Sequence, residues 1–171
     1  LEEDSSHQQL EVYSRFPRRS VMLNQALTMN KMIPFTLLKL GRTPLETRYV
    51  REATVFVFRD EPTWIAFWRN SSLPRLSLRA SMLPRVDFTT QMVMGITAGF
   101  RPTGGYHLQI DAIEVAKDVE MERWVIHYTE QMPDRCVLTQ QPTTPSLFIL
   151  TAQSNAAIAL QGKTLTYTYA E

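Results

Sequence analysis

Two kinds of apolar pattern run along this chain, and each predicts a strand of a different kind. Ala53–Arg59 (Ala-Thr-Val-Phe-Val-Phe-Arg) is dense in β-branched and aromatic residues and apolar on both faces, as a central strand would be. Gln91–Ala98 reads as the next strand. Tyr106–Ile113 instead alternates, with Tyr106, Leu108, Ile110 and Ala112 on one face and His107, Gln109 and Asp111 on the other. Glu122–Glu130 repeats this, setting Trp124, Ile126 and Tyr128 against Val125, His127 and Thr129. Period two is the signature of a half-buried strand. Phe35–Lys39 and Leu147–Thr151 are shorter apolar runs. Thr164–Tyr169, where threonine alternates with Leu165, Tyr167 and Tyr169, suits a terminal strand, and Leu10, Val12 and Phe16 alternate weakly before Pro17.

Helical spacing occurs twice. Asp60-Glu61-Pro62-Thr63 combines an acidic cap with a first-turn proline, and Trp64, Phe67 and Trp68 then form one apolar stripe that Asn70-Ser71-Ser72 ends. Met22, Ala26 and Met29 between Ser20 and Met32 suggest an N-terminal helix capped by Ser20. Residues 71–86 carry two prolines and three arginines and read as the longest loop. The expectation is a mostly β fold (β or α+β): an antiparallel sheet or sandwich with one short tryptophan-bearing helix. Its parts are an N-terminal extension, 1–32, the main domain, 33–152, and a C-terminal strand or extension of that domain, 153–171.

Composition narrows the function. A chain of 171 residues, 44% apolar and 20% charged, has the make-up of one globular domain. Eighteen basic against 17 acidic side chains give no reason for a polyanion partner, and Arg15, Arg18 and Arg19 are too few for a nucleic-acid patch. The apolar run Ile33–Leu40 is broken by Pro34, Thr36 and Lys39 and is too short to cross a bilayer. Starting at Leu1, the chain reads as a mature form or an excised fragment, and membrane association is expected only if an anchor has been removed. The single cysteine, Cys136, excludes an intrachain disulfide and a cysteine-based metal site.

Catalytic patterns are not found. His7, His107 and His127 form no HxxxH or HExxH pair. His107 and His127 would share a side with Asp111 or Glu130 if their strands pair, but the alternation already assigns both histidines to a solvated face, so no metal is expected. Cys136 stands between Arg135 and Val137, with nothing to lower its thiol pKa toward a nucleophile served by His127. No GxSxG motif, phosphate loop or dinucleotide fingerprint occurs. The reading is a non-enzymatic chain without a cofactor.

Arg101-Pro102-Thr103-Gly104-Gly105-Tyr106 stands apart. Pro102 fixes φ, and the two glycines allow positive φ twice and leave backbone N–H groups unshielded, so the turn reads as exposed. By spacing alone it is a hairpin connector with Arg101 as a solvated charge. Together, Val86-Asp87-Phe88, Met92-Val93-Met94-Gly95 and Gly99-Phe100-Arg101-Pro102-Thr103-Gly104-Gly105-Tyr106 resemble the central signature of the PrcB C-terminal domain family. Ile33-Pro34-Phe35 and the block from Val57 to Trp68 resemble the strand, acidic turn and tryptophan helix that precede it. The segment from Glu130 through Gln140 to Thr144-Pro145 resembles the family's close, and the likeness spans Ile33 to Thr151.

The resemblance implies an exported, often lipid-anchored accessory subunit that associates with a secreted subtilisin-like protease. Arg101, Pro102, Thr103, Gly104, Gly105 and Tyr106 are then the candidate partner-binding residues, with Thr139–Pro145 as a further segment that could touch the partner. Two alternatives stay open. One is a protease inhibitor whose RPTGGY turn resembles the loop of chagasin-type inhibitors. The other is an envelope structural or ligand-binding domain with an apolar pocket under Trp64, Trp68 and Trp124, residues that simple core packing also explains.

Overall fold

The computed structural model describes residues 11–14, 31–70, 83–117, 121–134 and 140–167, and in it the two strand patterns sort into two sheets. Sheet A holds β1 (Glu11–Ser14), β2 (Thr36–Leu38), β3 (Thr54–Phe58), β4 (Gln91–Thr97) and β7 (Ser146–Ala152) in the order β1-β3-β4-β7-β2, all antiparallel. Sheet B holds β5 (His107–Lys117), β6 (Glu122–Pro133) and β8 (Ala157–Tyr167). The helix α1 (Glu61–Arg69) follows β3, and Asp60 caps it by accepting from the Thr63 N–H at 2.8 Å. Of the predicted N-terminal helix only Lys31 and Met32 are described, and they are not helical, Met32 bridging to Glu114; Cys136 and most of the 71–86 loop lie outside the described residues.

The layers explain the patterns. Between the sheets, Val55, Val57, Met92, Met94, Ile96 and Ile149 of sheet A meet Ile113, Val115, Trp124, Ile126 and Ile158 of sheet B. On the other face of sheet A, Phe56, Phe58, Val93 and Phe148 pack with Trp64, Phe67 and Trp68 of α1. Phe58 meets Trp64 and Phe67 edge to ring at 4.9 and 4.8 Å, pairs worth about 0.5–1.5 kcal/mol each beyond their burial. Sheet A is covered on both sides, so β3 and β4 must be apolar on both faces; sheet B has one face toward water, so β5 and β6 alternate. All three tryptophans are core residues, and they divide between two clusters on opposite faces of sheet A. A single pocket under all three therefore does not form among the described residues.

Three strand expectations change. Asp111 is an extra residue in β5: Ile110 pairs with Tyr128, but Ala112 pairs with His127. This bulge reverses the phase, so Ile113 and Val115 reach the core and Ala112 leaves it. The terminal strand begins at Ala157 rather than Thr164, since its small outward alanines hide the alternation. It also runs parallel to β6, because the chain visits β7 in the other sheet before returning. Gln153 and Arg59 tie down that crossover. The Gln153 amide donates to the carbonyls of Arg59 and Phe88 at 2.9 Å, and Arg59 donates to those of Ser154 and Ala156 at 2.7 and 3.1 Å.

Candidate functional site: the turn between the sheets

Gly99–Tyr106 joins β4 to β5, so it carries the chain from sheet A to sheet B and is not a hairpin connector. Its entry is tightly held. Thr97 Oγ1 accepts from the Gly99 N–H at 3.0 Å and donates to the Pro145 carbonyl at 2.9 Å. Gly99 has φ +93°, and an added Cβ would lie 2.9 Å from the Arg51 carbonyl oxygen, so both conformation and space require glycine there. Phe100 N–H donates to the Val50 carbonyl at 2.6 Å, and Arg101 and Thr143 exchange two backbone hydrogen bonds of 2.8 and 2.9 Å. The turn is thus joined to the segment before Pro145 by a backbone bridge.

Arg101 is not a solvated charge. Its Nε and Nη2 donate to Glu130 Oε1 and Oε2 at 2.6 and 2.7 Å, and Nη1 donates to the Phe100 carbonyl at 2.9 Å. The Glu130 side chain is 7% exposed and that of Arg101 24%. The bidentate bond to Glu130 raises the Arg101 pKa, against the opposing effect of burial. The Tyr106 ring lies below the guanidinium, 5.7 Å from ring centroid to Cζ. At the exit, Tyr167 Oη donates to the Gly105 carbonyl at 2.6 Å. Gly105 takes φ +88° and Gly104 does not, so the Arg101–Tyr106 segment uses positive φ once rather than at both of its glycines.

Of the six predicted residues, the structure leaves Pro102 exposed and the other five half-buried. Around the Arg101–Thr143 bridge stand residues that pattern reading passed over. Tyr49 is 73% exposed and its ring lies 5.1 Å from that of Phe100. Pro142, also exposed, precedes the Thr143 bridge, and with Tyr49, Phe100 and Glu46 it lines a hollow of about 170 Å³. Glu130 carried a usable signal: continuing the alternation Trp124, Ile126, Tyr128 by one step puts a carboxylate on the inward face, where it needs a cation.

The histidines do not converge. His107 pairs with Gln131 and His127 with Ala112, and His127 Nε2 lies 2.9 Å from Glu114 Oε2. Glu130 points the other way, to Arg101. Among the described residues no group of three or more His, Cys, Asp or Glu side chains is placed to hold a metal ion. Upstream, Asp87 caps the turn into β4, accepting from the Thr89 N–H at 3.1 Å and from the hydroxyls of Thr89 and Thr90, which hold its pKa below the usual carboxylate range.

Residues 92–152 match the family model described as PrcB C-terminal, the family whose signature the sequence resembles. The matched segment runs from β4 through the turn to the end of β7. The resembling blocks at Ile33–Phe35, Val57–Trp68 and Val86–Phe88 lie upstream of it. No curated protein and no solved structure matches the chain.

Proposed function

From the PrcB C-terminal match over residues 92–152, we propose that this chain is a non-enzymatic, exported accessory domain that binds a protein partner, a secreted protease by family analogy. The contact surface is the patch of Tyr49, Phe100, Pro102 and Pro142, and Arg101 and Tyr106 hold the turn in place beneath it. One observation carries this reading. Tyr49 is largely exposed and its ring rests tilted against that of Phe100, and Phe100 and the neighbouring Arg101 are fixed by backbone bonds to Val50 and Thr143. A rigid aromatic anchor costs little conformational entropy when it is buried by a partner, and tyrosine is enriched among binding hot spots.

The test is co-purification of the tagged chain from the secreted fraction of the producing cells, with proteolytic activity assayed in the eluate. Wild type should retain a protease, and Tyr49→Ala with Pro102→Ala should lose most of it while melting at the wild-type temperature. Equal retention by the variant, or an eluate without proteolytic activity, would overturn the proposal. Gly105 is avoided in this design because its positive φ makes any side chain there a folding perturbation.

A further inference from the structure

Arg101 also borders a second hollow, whose lining shares no residue with that of the aromatic patch. This cleft is about 270 Å³, walled by Ala53 and Ala98, which flank β3 and β4 at the edge of sheet A, and by Tyr128, Glu130 and Gly162 of sheet B. That is just below the range of about 300–1,000 Å³ usual for drug-sized ligands, and it suits a small group or a chain end. Arg101 reaches its wall, and Arg51, Glu52 and Lys163 complete the charged lining. Three cations thus face two carboxylates, and Arg101 already holds one of the carboxylates by both oxygens. Arg51 is exposed, and Lys163 lies 3.6 Å from Asp111 in an exposed pair, an arrangement worth about 0–1 kcal/mol and easily exchanged.

The donors of Arg101 are not exhausted. A guanidinium carries five N–H groups. One goes to each Glu130 oxygen and one to the Phe100 carbonyl, and the other two have no partner among the described residues. Its position is set in advance by Glu130, so an anion arriving in the cleft would not have to order it. We propose that this cleft binds a carboxylate group, which takes the spare N–H groups of Arg101 and is drawn in by Arg51 and Lys163 at the mouth. A single negative charge matches the excess of one cation in the lining. A doubly charged phosphate would be repelled by Glu52 and Glu130. The site lies apart from the Tyr49 patch and stands whether or not a protease binds there.

Amide and arginine Nε–H NMR signals of the isotope-labelled chain report the test. The probes are acetate, acetyl-tetraalanine with a free C-terminal carboxylate, and the same peptide amidated. Both acids should shift Arg101 Nε–H and the amides of Gly162–Thr164 saturably, with Kd on the order of millimolar, and the amidated peptide should not. Arg51→Gln with Lys163→Gln, both surface changes, should weaken binding by roughly fivefold or more. Tighter binding of the peptide acid than of acetate would assign the site to a chain terminus; equal affinity would assign it to a small free carboxylate. The proposal is overturned by no saturable shift up to about 50 mM, by equal shifts from the amidated peptide, or by affinity unchanged in the double variant.

Discussion

Replacing Arg101 by methionine keeps the aliphatic stem but removes every bond the guanidinium makes. Glu130 then loses donors at 2.6 and 2.7 Å while its side chain stays 7% exposed. Removing one member of a buried ion pair costs about 3–5 kcal/mol, because the other charge is left without a partner. Arg101 is itself a quarter exposed, so water reaches the pair from one side and the loss falls at the lower end, about 3 kcal/mol. For a chain of this length that lowers Tm by about 6–12 °C. Glu130→Met should cost a similar amount. The double variant, with no charge left to satisfy, should recover most of the loss. Urea denaturation at neutral pH, followed by circular dichroism, measures the cycle. If Arg101→Met costs under about 1 kcal/mol, or the two losses simply add, then the pair is a solvent-screened surface bridge and the turn is not anchored as argued.

Two further outcomes follow from particular atoms. Gly162→Ala would set a Cβ 2.2 Å from Cζ of Tyr128, its cross-strand partner; the variant should lose about 1–3 kcal/mol by thermal melting, and a Tyr128→Leu background should reduce that loss if the ring is the cause. Asp87 is held below the usual carboxylate range first by the Thr89 hydroxyl, then by the Thr90 hydroxyl and the Thr89 N–H. Its contribution is therefore present above the unfolded pKa and lost as pH falls through the lower folded value. The Tm advantage of wild type over Asp87→Asn should be greatest near neutrality and vanish in acid; an advantage that persists unchanged at about pH 2 would refute the assignment.

The order and nature of most elements could be read from the chain. Asp60-Glu61-Pro62 announced α1 because a cap and a first-turn proline act locally. Strands apolar on both faces became the covered sheet and alternating strands the sheet open to water, because solvent exposure is written into every second side chain. What depends on contacts distant in sequence was decided only by the tertiary structure. The bulge at Asp111 reversed the phase of β5 through its pairing with β6. The parallel course of β8 followed from the detour through β7. Arg101, 29 residues from Glu130 in the chain, became an internal strut only when the two sheets met. A one-dimensional pattern records which side chains avoid water; it does not record which charged group each buried charge will find.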